Sequence, residues 1–173
     1  MAGDKIDKAK LNNTLYFIVQ LLHKYSIKNW FIAYGTLLGI VRDNSCIHND
    51  DDVDIVCDIS VYDLLKEGLL KEGFDLEYGY GIRTSKNILK TKPTNELASI
   101  DIYMARIDEK GSFHDLWEKV VWSNCYENQQ LVNKEWNNII LQLPNNYITK
   151  LENRYGNTWM TPQNIKGTRC PVL

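Results

Sequence analysis

The chain has 173 residues, 44% hydrophobic and 24% charged, with a net charge of −2. These are the values of an ordinary globular domain; they exclude disorder and a global basic field for nucleic acid or an anionic membrane. No run approaches the roughly 20 apolar residues of a membrane span, and the opening MAGDKIDKAK has no apolar core, which predicts a soluble, cytoplasmic protein.

The first element is a helix. Leu11, Leu15, Ile18, Leu22 and Tyr25 recur at intervals of three and four, an amphipathic stripe that ends near Ser26. Trp30 to Tyr34 is an apolar run of strand length, halted by Gly35, and a short helix is expected over Leu37 to Asp43. A buried strand starts at Val53, where Val53, Ile55 and Val56 supply β-branched character. Ser60 and Asp63 resemble a capping box opening a helix packed by Leu64, Leu65, Leu69 and Leu70 and closed by Gly73. From Phe74 to Lys92 one or two strands are expected, bent at Gly79 and Gly81. Leu97 to Ala105 reads as a further strand. Ser112 to Asn146 has no clean period, and Asn146 to Tyr155 reads as a helix closed by Gly156. With no repeat or linker composition, residues 1–173 read as one domain. Cys46, Cys57, Cys125 and Cys170 form no CxxC pair and no zinc spacing with histidine, so free thiols are expected. The sequon at Asn12 is read as chance in a chain without a leader.

The acidic stretch carries the chemistry. Asp50, Asp52 and Asp54 alternate, and in an extended strand residues two apart share one face. Asp52 and Asp54 then repel each other unless a cation sits between them, and oxygen-rich sites of this kind suit Mg²⁺ or Mn²⁺. Asp101, between Ile100 and Ile102, is costly to bury alone. Two such strands side by side would gather three carboxylates, a set suited to metal-assisted phosphoryl chemistry. Gly35 and Thr36 end a strand and begin a helix, where free N–H groups form a phosphate cradle. A solvated acidic loop is one alternative. An EF-hand is excluded, since Ile55 stands where glycine is needed and Val61 where glutamate is needed. The Asp-x-Asp metal site of a nucleotide-sugar glycosyltransferase is a further alternative.

GTLLGIVRDNSCIHNDDDVDIVCD resembles the signature of the LicD/fukutin family: a GTLLGxxR block, a spacer and DxDxDI. LASIDIYM resembles the family's second acidic strand, and LQLPNNYITKLENRYGNTWMTP its closing segment. The three blocks span about Leu11 to Pro162 in the family's order. The resemblance implies an α+β nucleotidyltransferase fold of the polymerase-β type, a mixed sheet flanked by helices, with a Mg²⁺ or Mn²⁺ site. It implies Asp52 and Asp54 as metal ligands, Asp101 as third carboxylate, and Gly35-Thr36 as the nucleotide-phosphate turn. The implied activity moves a phospho-alcohol, such as phosphocholine or ribitol phosphate, from a CDP-linked donor onto a glycan acceptor. An inactive relative kept as a binding module is the non-enzymatic alternative. The chain departs from the pattern at His48-Asn49, where Pro-Trp is usual. It is also short for the family, so a reduced acceptor region is expected.

Arg42 either orients donor phosphate or pairs with Asp43 or Asp51. Arg83, Lys90 and Lys92 are candidate phosphate cations. His48 shapes the acidic loop or acts as a base. Tyr155 and Trp159 either stack on a base or pin the last helix to the core.

Overall fold

A computed structural model describes residues 7–79 and 81–162. The elements in chain order are α1 (Lys8–Lys24), β1 (Trp30–Ile32), α2 (Tyr34–Asp43), β2 (Asp52–Asp58), α3 (Tyr62–Lys71), β3 (Ile88–Lys90) and β4 (Ser99–Ile107). They continue as β5 (Phe113–Asp115), β6 (Val121–Trp122), β7 (Val132–Trp136), β8 (Ile139–Leu143) and α4 (Tyr147–Tyr155).

The main sheet runs β1-β2-β4-β5-β6, with β3 also paired to β4. β2 and β4 are parallel, and every other pair in this sheet is antiparallel. The sheet is therefore mixed and flanked by helices, the α+β arrangement expected from the sequence. Strand β4 is buried from Ser99 to Ala105 because it has neighbours along both edges. β3 holds its other edge at Asp101–Tyr103 and β5 at Ala105–Ile107. Trp30, Phe31, Val53, Ile55, Ile100 and Ile102 are fully buried, and so is the α1 stripe Leu11, Leu15, Ile18 and Leu22.

Several local expectations change. Helix α2 begins at Tyr34 rather than Leu37, so Gly35 and Thr36 lie in its first turn. Asp58 caps a 3-10 turn, Ile59–Val61, that leads into α3, its side chain accepting from Ser60 N–H at 2.9 Å, while Asp63 faces Lys86 at 3.1 Å. Leu65 and Leu69 pack that helix; Leu64 and Leu70 are exposed because they lie on its outer face. Gly73 closes it as expected, at φ 88°, with Gly73 N–H on Leu70 O and Phe74 N–H on Leu69 O. Between Phe74 and Lys92 the regular structure among the described residues is a 3-10 turn at Ile82–Thr84, strand β3 and a bridge, Leu76 to Thr91.

The unread stretch from Ser112 to Asn146 holds β5 to β8. β7 and β8 form a two-residue hairpin with Trp136 opposite Ile139, and Asn137 and Asn138 both take positive φ. That backbone suits the primed hairpin turns, and asparagine tolerates it.

Cys46, Cys57 and Cys125 are buried free thiols; Cys170 lies outside the described residues. The Asn12 amide is engaged in the fold, accepting from Cys46 N–H at 2.9 Å and donating to Ser45 Oγ at 3.0 Å. No helix among the described residues is long and apolar enough to cross a membrane.

The entry to α2 is strained. Tyr34 has φ 47°, a left-handed conformation that a bulky side chain rarely adopts. Its surroundings over-determine it: the hydroxyl donates to Asp115 Oδ2 at 2.6 Å, and the ring meets Tyr103 and Trp122 edge-on at 4.9 and 5.2 Å. Asp115 is buried and also accepts from Trp117 and Glu118 N–H. Tyr34→Phe removes one buried charge-assisted bond and should cost about 1–3 kcal/mol. Urea unfolding should show a lower midpoint at an unchanged slope.

Candidate functional site

The parallel pairing of β2 and β4 builds the site. Its register sets Asp54 opposite Asp101 and Asp52 opposite Ser99. Asp52 and Asp54 share a strand face, and Asp101 joins them from the adjacent strand. One carboxylate oxygen from each lies within 4.8 Å of the others. Asp54 and Asp101 are buried and Asp52 is half-buried.

Helix α2 is anchored to the same point. Asp54 N–H donates to Thr36 Oγ1 at 2.9 Å, and Asp54 O accepts from Ala33 N–H at 3.0 Å. The strand residue that carries the carboxylate is thus clamped on both sides of its backbone by the β1–α2 junction. The first bond within α2 runs from Leu37 N–H to Ala33 O at 3.0 Å, which leaves the Gly35 and Thr36 N–H groups at the helix's open, positive end.

Gly35 is required there for closeness. A Cβ on it would lie 2.6 Å from Asp50 Oδ2 and 3.7 Å from Asp54 Oδ2. Gly39, one turn on, admits the loop that leads to the acids: a Cβ would lie 2.5 Å from Ser45 O. Asp50, Asp51 and Asp52 form a second close group that shares Asp52 with the first.

Two partners of the acids were not visible along the chain. Lys90, opposite Asp101 across the β3–β4 pair, donates from Nζ to Asp101 Oδ1 at 2.6 Å. The Tyr103 hydroxyl donates to Asp54 Oδ1 at 3.3 Å. The signal for Tyr103 lay in its place two residues after Asp101, on the same strand face. Lys90 carried none, because its partner is set by sheet pairing.

Arg42 pairs with Asp43, one of the partners expected of it. Its guanidinium bonds Asp43 through Nε and Nη2 at 3.0 and 2.8 Å. It stands six residues beyond Thr36, about 9 Å along the helix axis. His48 and Arg83 are exposed. Trp159 is buried in the core and pins the segment after α4. The Tyr155 phenol is pushed up to about 12, chiefly by burial, with Arg154 opposing the rise and Asp54 and Asp50 adding weakly to it. Arg154 covers the Tyr34 ring with its guanidinium carbon 4.4 Å from the centroid.

Electrostatics make the cluster costly without a cation. Burial, and then Asp101, Asp51 and Asp50, push Asp52 up to about 8, against the pull of Lys90. Burial and Asp52 raise Asp54 well above the carboxylate range, and burial raises Asp101 although Lys90 opposes it. Three hard oxygen donors that cannot all ionise unaided fit a divalent ion of the Mg²⁺ or Mn²⁺ class.

Known proteins were compared with this chain on both sequence and structure. The family described as LicD/FKTN/FKRP, nucleotidyltransferase domain, matches residues 28–164. No curated protein matches. Among solved structures, the chain is similar to the lincosamide antibiotic adenylyltransferase LnuA bound to lincomycin, with a TM-score of 0.56, 13% identity, and 82% of each chain covered. It is also similar to the antibiotic-resistance factor ANT(2'')-Ia, with a TM-score of 0.56, 9% identity, and coverage of 79% of this chain and 66% of that one. These likenesses show the nucleotidyltransferase fold.

Two outcomes follow from the geometry. A carboxyl whose pKa is higher folded than unfolded binds more protons in the folded state. Between about pH 4 and pH 8, the unfolded and folded pKa of Asp52, the metal-free protein should therefore lose stability as pH rises. Thermal melts across that range should show the slope, and the Asp52→Asn/Asp54→Asn variant should flatten it. Gly35 has no positive φ and sits in a helix, so Gly35→Ala should change stability by no more than about 1 kcal/mol. The displaced Asp50 carboxylate should instead weaken Mn²⁺ or nucleotide binding, read by calorimetry on the folded variant.

Proposed function

The chain belongs to the LicD/FKTN/FKRP family, nucleotidyltransferase domain, and from that premise we propose that it is a metal-dependent transferase moving a phospho-alcohol from a CDP-type donor to a glycan hydroxyl. Residues 1–173 act in this reading as one catalytic domain. The observation that carries it is the three-carboxylate group on adjacent parallel strands, set against the open end of α2.

Asp52, Asp54 and Asp101 would hold the Mg²⁺ or Mn²⁺, which supplies Lewis-acid charge for the reacting phosphate oxygens. The α2 N–H groups at Gly35 and Thr36 bind donor phosphate, aided by the helix dipole. The Thr36 hydroxyl keeps Asp54 in place through its bond to the Asp54 N–H. Arg42 serves the far end of α2 through Asp43. Asp101 receives the acceptor's proton at Oδ2, since Oδ1 is occupied by Lys90. The acceptor oxygen forms a bond to the phosphorus that bears the alcohol, the bond from that phosphorus to the bridging oxygen breaks, and a nucleoside monophosphate leaves.

A thermal-shift screen of CDP-, UDP- and ADP-linked compounds tests donor choice, because a ligand of the folded state raises the midpoint by mass action. CDP compounds should shift it in the presence of Mn²⁺. Asp52→Asn/Asp54→Asn should abolish both the Mn²⁺ response and turnover. Asp101→Asn should still bind nucleotide while single-turnover rates fall by orders of magnitude. A product that carries a glycosidic bond, or that retains the nucleotide, overturns the reading, and so does an Asp52→Asn/Asp54→Asn enzyme that stays active with Mn²⁺.

A further inference from the structure

Asp115 is a buried carboxylate that belongs to neither close group of acids among the described residues. Its strand, β5, sets it opposite Ala105, four residues beyond Asp101. That is about 13 Å along the sheet, too far to share an ion with the cluster. Among the described residues no Lys, Arg or His lies within ion-pair distance of Asp115. Burying a carboxylate without a cation is costly, and an apolar side chain would fill the same space at less cost. Its two oxygens have separate tasks. Oδ1 accepts from the Trp117 and Glu118 N–H groups, each at 2.9 Å, which fixes the carboxylate to the turn after β5. Oδ2 accepts from the Tyr34 hydroxyl at 2.6 Å. A charged acceptor makes such a bond stronger and more directional than a neutral one.

Tyr34 stands between the two residues that clamp Asp54. Ala33 N–H donates to Asp54 O at 3.0 Å, and Asp54 N–H donates to Thr36 Oγ1 at 2.9 Å. The left-handed φ of 47° at Tyr34 fixes how Ala33 and Thr36 face each other. Relaxation toward an ordinary φ would turn one against the other, and both could not then keep their bonds to a single peptide. A second line runs through side chains. The Tyr34 ring meets Tyr103 edge-on at 4.9 Å, and the Tyr103 hydroxyl donates to Asp54 Oδ1 at 3.3 Å. Both lines start at Tyr34 and end at Asp54, one on its peptide and the other on its carboxylate.

We infer that Asp115 is a positioning residue of the metal centre: acting through Tyr34, it sets the place of the Asp54 carboxylate and so the affinity for a divalent ion that Asp115 itself does not touch. The buried charge, a cost to the fold, gives stiffness to a strained turn on which the site depends. This role rests on the metal-site part of the transferase reading and adds to it a residue from β5.

Calorimetry with Mn²⁺ on the whole chain, and amide exchange by NMR on the metal-free chain, test it. Tyr34→Phe and Asp115→Leu should each weaken Mn²⁺ binding about tenfold or more, and Asp115→Asn, which keeps an oxygen acceptor, by less. The double variant Tyr34→Phe/Asp115→Leu should bind no more weakly than either single variant, because both remove the same bond. Without metal, the Ala33 and Asp54 N–H groups of Tyr34→Phe should exchange faster than its lower global stability accounts for, whereas a merely structural role would speed all core amides alike. Leu69→Ala, a core change on α3 beyond the far end of β2, is the stability control and should leave the Mn²⁺ affinity of the folded protein unchanged. Wild-type Mn²⁺ affinity in Tyr34→Phe overturns the inference and leaves the metal centre standing. An affinity loss shared by Leu69→Ala overturns it too, as does a uniform rise in exchange. Absence of Mn²⁺ binding in wild type brings down the metal centre and this role together. Should Asp115→Leu not fold, Tyr34→Phe and Asp115→Asn decide the outcome.

Discussion

Mutual repulsion among three carboxylates held within 4.8 Å of one another is the constraint on which the rest of this structure depends. Asp54 and Asp101 are buried on the two strands that form the sheet's one parallel pair among the described residues. Bringing such groups together opposes folding, and burial strengthens the repulsion because little water is left to screen it. The chain meets this cost with local devices. Lys90 places an ammonium 2.6 Å from Asp101, and Tyr103 offers a proton to Asp54. Protonation of Asp52, pushed up to about 8, removes part of the remaining charge. A divalent ion would do the same more completely, and the three carboxylates are placed so that they could hold one.

The junction of β1 with α2 ties that centre to the open end of a helix. Thr36 and Ala33 bond the two sides of the Asp54 peptide, so the open end of the helix cannot move independently of the carboxylate. The left-handed backbone at Tyr34 turns the chain sharply enough for this, and Asp115, Tyr103 and Trp122 hold the turn. Strain of this kind persists where the surroundings over-determine it. Gly35 completes the junction by leaving room for the Asp50 and Asp54 carboxylates.

The two sides of the carboxylates differ in kind. The open end of α2 adjoins Asp54, while beyond Asp52 lies a cavity bordered, among the described residues, by lysines, carboxylates and small polar side chains. A transferase must hold two substrates on opposite sides of the reacting phosphorus in an in-line displacement.

The sequence by itself determined the α1 stripe, the start of β2 and the presence of β4, because each depends on local periodicity and β-branched content. It also showed that Asp52 and Asp54 share a face, since strand alternation is a property of the backbone. The family and its fold were legible from three blocks in order. Four short strands between Ser112 and Asn146 were not, because two- to five-residue strands carry too little period to read. Helix α2 began earlier than expected, since its start is set by a left-handed Tyr34 that tertiary contacts hold. The outward faces of Leu64 and Leu70 were likewise decided by the docking of α3. Only the tertiary structure set Asp54 opposite Asp101 and Lys90 against Asp101. Strand pairing and register arise from contacts between distant segments, and no local pattern along a single chain encodes which carboxylate meets which partner.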